Sequence, residues 1–381
     1  MRGELSISQH FKALKDPRTG NATLHELLDI VTIALCATIC GANEWTDVEE
    51  FGKTHETWLR AFLVLPNGIP SHDTFGRVFA RLDPHAFEAC LRRWVEASVK
   101  TLTQRQVSLD GKVLRNSHDR YRDQEALQTV SAWLVETGLV LGHLKVAGNT
   151  NEITTVREML MTLDLAGCVV TADALHTQTQ TARLIVERGG DYVLPVKDNQ
   201  ERLHERIASV FVHESARAQP FKAVTHTTAQ TTNKTHGRIE TRRCTVIDDP
   251  SYLNEINHQG QWWHLSSIVR LERSRTQDGH TSHETHYFIS SLAEPAKAML
   301  QFIRAHWQIE NGLHWKLDVV FHEDHTRIRV DHAPENMAVL RRFALNLLGQ
   351  EKSYKRGLQA KRLKAAWDAD YLLKVLQGVR V

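Results

Sequence analysis

From Arg105 onward the spacing of apolar residues changes from helical to strand-like, and that change limits the folds open to the chain. The segments RQVSLD, LQTVSAWLVE and LVLGHLKVA are short, rich in β-branched residues and separated by polar turns, as strands are. A helix-spaced run, EITTVREMLMTL, comes next, followed by a buried-type strand in CVVTADAL. A helix (TQTQTARLIVERG), a strand (DYVLPVK) and another helix (QERLHERIASVF) complete the series. Three consecutive strands, then helices alternating with strands, predict a mixed α/β sheet covered by helices.

The flanking regions read differently. Residues 1–100 show helical spacing in LHELLDIVTIALCATICGA and VEEFGKTHETWLRAFL. The turn LPNGIPS follows, with Ser71 placed to cap a helix over SHDTFGRVFARL. Such a helical module is either a DNA reader or a packing domain. Residues 216–292 return to strand-like runs (FKAVTHTTAQ, RIETRRCTVI, QWWHLSSIVRLE, THYFISSL) and form a β-rich insertion between 101–215 and 293–350. Pro295 then opens a long expected helix, AKAMLQFIRAHWQIENGLHWKL. A basic helical tail occupies 351–381. Within 327–364, ten Lys or Arg face three acids, an excess of seven positive charges. That excess is either a solvated face or a phosphate-contacting surface.

Bulk charge decides little, because the formal net charge of the 381 residues is only +2. Any nucleic-acid surface must arise from local segregation of charge. The five cysteines (Cys36, Cys40, Cys90, Cys168, Cys244) form no CxxC or zinc pattern, which fits a reducing compartment. The polar start is no signal peptide, and the apolar run at 30–42 is shorter than the ~20 residues that span a bilayer. A soluble cytoplasmic protein with no membrane partner is expected.

Three carboxylates stand out. Asp110 ends an expected strand in SLDGKVLR, and Asp173 ends another in VVTADALHTQ. Carboxylates at the carboxyl ends of neighbouring strands converge where open α/β folds place their sites. Once converged they repel unless a hard cation such as Mg²⁺ lies between them. Glu310 lies in RAHWQIENGLHWKLDVVFHED, sharing a helical face with His306, His314 and Leu317 by 4-4-3 spacing, with Trp307 and Trp315 positioned to dock that helix.

These residues sit in a series of motifs that resembles the DDE transposases of bacterial insertion sequences, in the subgroup that includes the H-repeat-associated proteins. The series starts with HFKALKDPRTG, CGANEWTDVEEFG and IPSHDTFGRVFARLDP, and continues through LDGKVLR, NEIT (151–154), TADALHTQ and KDNQ (197–200). It ends with HGRIETRR (236–243), YFISSL, HWQIENGLHWKLDVVFHED and APENMAVLRRFALNLL, so it covers essentially the whole chain.

The resemblance implies an RNase H-like catalytic core, a β-rich insertion before the last catalytic helix, and an N-terminal helical domain. It implies Asp110, Asp173 and Glu310 as catalytic residues that hold two Mg²⁺ ions, for which Mn²⁺ can substitute. Expected partners are double-stranded DNA, as the element's terminal inverted repeats and target DNA, and a second copy of the chain. A nucleoid-associated location follows. Auxiliary DNA contacts are expected from Lys112, Arg115, Asn151, Lys197, His236, Arg238 and His306, with Trp262 and Trp263 stacking on an unpaired base. Many relatives carry Tyr, Arg, Glu and Lys at a fixed spacing around the catalytic Glu. Here those positions are Ile303, His306, Glu310 and Leu317, so handling of the terminal phosphate, including any hairpin intermediate, is open to change. A relative that retains DNA binding but has lost the chemistry is the alternative.

Overall fold

The turn before residue 72 closes as the sequence requires: the Ser71 hydroxyl accepts from the Thr74 N–H and starts a helix. A computed structural model describes residues 8–20, 23–98, 105–118, 125–147, 151–217, 219, 221–222, 224–235 and 237–378. In chain order the longer elements begin with α1 (Leu27–Cys40), α2 (Trp45–Thr54), α3 (His72–Arg81) and α4 (Pro84–Ser98). Strands β1 (Gln106–Leu114), β2 (Leu127–Leu134) and β3 (Leu139–Lys145) follow. Then come α5 (Glu152–Thr162), β4 (Val169–Ala172), α6 (Thr179–Glu187), β5 (Asp191–Val196) and α7 (Glu201–Ala216). Four long strands come next: β6 (His226–Thr235), β7 (Arg238–Ile247), β8 (Ser267–Gln277) and β9 (His280–Ser290). The chain finishes with α8 (Ala296–His306), α9 (Trp315–Val319), α10 (Ala333–Gln350), α11 (Leu358–Trp367) and α12 (Ala369–Gln377). The protein is thus mixed α/β. Among the described residues no single helix is long and apolar enough to cross a membrane.

Two compact units divide the chain. One comprises Met1–Thr101, Gly111–Thr155 and Glu310–Val381, the other Leu102–Asp110 and Val156–Ile309. In the first, α1 is apolar all round and almost wholly buried, the pattern of a core helix. Helix α10 lies against α1, α3, α4 and β3. Its Phe343 ring sits 5.2 Å from that of Phe11 and 5.9 Å from that of Phe87, each such burial contributing about 2 kcal/mol. Asn346 accepts from the Val140 N–H and donates to its carbonyl, fixing helix to strand.

In the second unit the strand order is β1-β4-β5-β9-β8-β7-β6. Strands β1, β4 and β5 run parallel, and the rest of the ladder is antiparallel. Helix α8 covers one face, where Ala296, Met299, Leu300 and Ile303 bury Cys244, Val246, Val269 and Leu271. Helix α7 covers the other, stacking Phe211 on Tyr287 at 5.9 Å.

Three expectations change. Strand β1 does not end at Asp110 but runs to Leu114, because β2 pairs with its last residues; the Thr129 hydroxyl donates to the Lys112 carbonyl. The long helix after Pro295 is broken. Helix α8 stops at His306, a π-helical turn spans Glu310–His314, and α9 resumes at Trp315. The tryptophans expected to dock this helix, Trp307 and Trp315, are exposed, and Ile303, Ile309, Leu313 and Leu317 are buried instead. Finally, the basic stretch at 327–364 is only partly a surface: Arg341, Arg342, Lys361 and Arg362 are buried. Arg362 donates to the carbonyls of Thr38 and Ile39 at the end of α1, where a cation satisfies open carbonyls.

Candidate active site

The parallel pairing of β1 with β4 places Leu109 beside Ala172. One residue further on, Asp110 and Asp173 stand at the same level on strands about 4.8 Å apart. Alternation along the strands puts Gln106, Ser108 and Asp110 of β1 on one face, with Thr171 and Asp173 on the same face of the neighbour. This polar column lies under α8. Gln106 Nε2 donates to Thr171 Oγ1 (2.9 Å) and to the Phe302 carbonyl (2.9 Å). Ser108 Oγ lies 3.2 Å from the same Thr171 hydroxyl.

His306, the last residue of α8, completes the column. Its Nδ1 is 3.1 Å from Thr171 Oγ1 and its Nε2 is 3.4 Å from Asp173 Oδ1. One tautomer satisfies every contact: Gln106 donates to Thr171, Thr171 donates to His306, and His306 donates to Asp173. The His306 contact holds the Asp173 carboxyl below the usual carboxylate range against a partial burial that pushes it up, and the charges of His176 and Lys197 add to the lowering. The Asp173 side chain keeps 56% of its surface exposed. It is oriented and ionised, yet open to a ligand.

The loops at this edge are stapled together. Thr177 Oγ1 donates to the Pro195 carbonyl (2.6 Å), Asn199 donates to the Ala174 carbonyl (2.6 Å), and Gln200 donates to that of Thr177 (2.9 Å). In KDNQ, therefore, the amides hold the turn behind Asp173, while Lys197 is exposed beside it. Gly111 has a related spatial role. A Cβ there would lie 2.4 Å from Glu152 Oε1, so its bare backbone makes room for a carboxylate that Gln128 also holds at 2.7 Å. Glu152, Thr171, Asn199 and Gln200 lie in motifs the sequence shows, but their roles and that of Gln106 were not legible there, because their partners lie elsewhere in the chain.

Glu310 opens the π-helical turn and is exposed; it belongs to the first unit, whereas Asp110 and Asp173 belong to the second. Among the described residues no three His, Cys, Asp or Glu side chains form a ready-made metal site. Lys112 is engaged, its ammonium ion-paired with Asp318 and lying 3.3 Å from Glu323. Arg115 is exposed and lies 3.8 Å from Asp324. Asn151 caps α5, accepting from the Thr154 N–H at 2.9 Å. Arg238 lies 3.6 Å from Glu240 near the tip of the β6–β7 hairpin. His236 lies outside the described residues. Trp262 is 5% exposed, so its ring packs in the core and is withdrawn from any base. Trp263 is partly exposed, with the Arg183 guanidinium 4.4 Å above its ring. Large accessible indoles occur instead at Trp307 and Trp315.

The mixed sheet thus aligns Asp110, within β1, with Asp173, just after β4, on one face of two parallel strands. The family model described as "Transposase DDE domain" matches residues 101–347, and one described as "DDE_Tnp_1-associated" matches residues 8–95. The H repeat-associated protein YhhI of Escherichia coli K12, named as a candidate transposase, is 35% identical over 98% of each chain. The chain belongs to the DDE transposase family. A shorter relative, the inactive transposase YbfQ of the same strain, is 39% identical over 20% of this chain and 89% of its own length. A solved piggyBac transposase synaptic complex with hairpin DNA covers 98% of this chain and 78% of its own at 12% identity; its TM-score, 0.41, is too low to bear on the fold or the chemistry.

Proposed function

We propose that the protein is an active DNA transposase of a bacterial insertion sequence, cutting strands at the ends of its element and joining them to target DNA. The observation that carries this is the levelled pair Asp110 and Asp173, with Asp173 held in place by His306. The first aspartate on β1, the second just after β4, and a late helical turn holding Glu310 support an RNase H-like core. The pair fits a hard divalent cation: two carboxylates at this spacing repel each other, and oxygen donors of this kind suit Mg²⁺ or Mn²⁺. By the family resemblance, Glu310 would supply the third carboxylate. Metal bound there supplies activation of water or a 3′-hydroxyl and relief of charge on the leaving oxygen.

The chain's own groups do the rest. His306 fixes the orientation of Asp173 and remains a donor beside it. Lys197, exposed at the end of β5, adds positive charge for an incoming phosphate. The amides of Asn199 and Gln200 keep the turn carrying Asp173 from shifting when DNA binds. Terminal inverted repeats and target DNA are the proposed substrates. A second copy is the proposed partner, since two ends must be paired before joining, and a nucleoid location accompanies these roles.

The test is incubation of the purified chain with its own element's end DNA in Mg²⁺, Mn²⁺ or EDTA. Metal-dependent cutting at the end is expected, and Glu310→Gln and Asp110→Ala are expected to abolish it while leaving end binding nearly intact. Binding without cutting in either metal would show a DNA-binding relative that has lost its chemistry.

A further inference from the structure

The register of β5 to β9 shows where the long strands go. Val196, the last residue of β5, pairs with Tyr287, and β9 continues seven residues beyond it to His280. Strands β6, β7 and β8 keep pace, with Thr235↔Arg238, Ile239↔Thr276 and Gln277↔His280 at or next to the far end. Four strands therefore project past the edge that carries Asp173 by about seven residues, roughly 24 Å.

The two faces of this arm differ. Cys244 and Leu271 are buried under α8, and alternation carries that face outward to Arg242 and Arg273, then Glu240 and Arg275, then Arg238. It is the face on which Thr171 and Asp173 stand, since Thr171 pairs with Val193 and Val193 belongs to the same buried cluster. The opposite face carries threonine pairs (Thr232 with Thr241, Thr276 with Thr281) and the exposed cations Lys234 and Arg243.

We propose that the Asp173 side of the β6–β9 arm binds the phosphodiester backbone of double-stranded DNA beside the cut, through Arg242, Arg273, Arg275 and Arg238. The inference rests on the transposase reading above. Arg238, Arg242 and Arg273 all crowd one carboxylate, Glu240, at 3.6, 2.8 and 3.0 Å. Four arginines on this face meet two glutamates, Glu240 and Glu284, leaving two positive charges unmatched; Arg304 of α8 adds its field to that of Arg273 at Arg242. Cations gathered this closely repel unless an anion joins them. Among the described residues no acceptor reaches Arg238 Nε or Arg242 Nη1. The arm has little apolar surface to bury beyond Cys244 and Leu271, so a core does not explain its length. Guanidinium forks spaced along a sheet match phosphates that recur every ~3.4 Å on a strand.

The experiment measures duplex end-DNA affinity by fluorescence anisotropy in EDTA, from 50 to 300 mM salt, on the full chain. Replacing Arg242 and Arg273 by Gln should lower affinity ten- to a hundredfold at low salt and reduce the slope of log K against log salt by about two. Arg275→Gln, which removes only a contact to Gln277 and leaves the Glu240 cluster intact, should reduce the slope by about one, so the outcome does not depend on the double variant folding well. Lys234→Gln with Arg243→Gln removes two charges from the other face and should leave the slope nearly unchanged. An unchanged slope in Arg275→Gln, or equal losses from the two double variants, overturns the assignment. Cutting is scored separately. A wild-type protein that never cuts but shows these slope changes retains the arm and loses the transposase reading; one that cuts with slopes unmoved does the reverse.

Discussion

Two carboxylate–guanidinium clusters in this protein use the same side chains to opposite ends. In the first unit Glu323 is fully buried, 2.7 Å from the equally buried Arg342 and 3.3 Å from Lys112. In the second, Glu240 gathers three arginines on an arm whose Arg238 and Arg273 side chains keep 38% and 31% of their surface. A buried pair cannot lose one member cheaply, because the other is left charged in a medium that solvates it poorly. Glu240 too is buried, but the cations around it reach solvent and are screened there, so their pairing contributes less to stability. Burial, and not the identity of the residues, separates a charge that holds the fold from a charge available to a ligand.

Removing Glu323 should break the comparison most visibly. Glu323→Gln leaves the buried Arg342 without its anion, while Lys112 keeps Asp318, and should cost about 3–5 kcal/mol in urea unfolding; a loss below about 1 kcal/mol would place the cluster with the more exposed kind. The same residue sets an acid limb. Burial alone pushes the Glu323 carboxyl up, yet Arg342, Lys112 and Arg341 together hold it well below the usual range. Its stabilisation is therefore present above the unfolded value of 4.5 and is lost as pH falls below it. Thermal melts between pH 6 and pH 3 should show that loss in the wild type and a shallower one in Glu323→Gln.

Asp173 lies between the two cases, half-exposed with one donor. His306→Ala should lower metal-dependent cutting by about 10- to 100-fold, as loss of a ligand-orienting partner does, and should move the acid limit of the rate upward as the Asp173 carboxyl rises. A rate profile that falls without shifting would reduce His306 to a packing residue. Asn151→Ala, which removes the cap of α5, should cost about 1 kcal/mol and leave DNA affinity unchanged. Glu240 is itself buried, but its arginines reach solvent, so Glu240→Gln should cost less stability than Glu323→Gln. That change should tighten DNA binding, since it removes the acid that offsets the arm's arginines.

What the sequence made legible follows from range. The α1 helix, the Ser71 cap and the order of strands from β1 to β5 depend on neighbours within a few residues, and periodicity records them. The placement of Asp110 on the first strand and of Asp173 after the fourth is of this kind. The burial of Arg342 depends on Glu323, nineteen residues away, and on Lys112, much further off, so a count of basic residues at 327–364 could not separate the four buried cations from the six at the surface. The ion pair of Lys112 with Asp318 and its approach to Glu323 were illegible for the same reason. The break after His306 also left no trace in the 4-4-3 spacing, because a π-helical turn inserts its extra residue without changing the apolar character of the segment.

The arm's ladders run from core to tip without a register shift in any of the three antiparallel pairs beyond β5. A structure of this kind is a ruler. Its length is set by the number of paired rungs and cannot stretch without breaking hydrogen bonds, so a phosphate bound at the tip as proposed would lie a fixed distance from one opposite Asp173. Shortening both hairpins by one matched pair of rungs would move the gripped position inward by about two steps of the DNA. On the proposed function, the arm would turn strand length, a property of folding, into a measure of how much of the element's end is read before cutting.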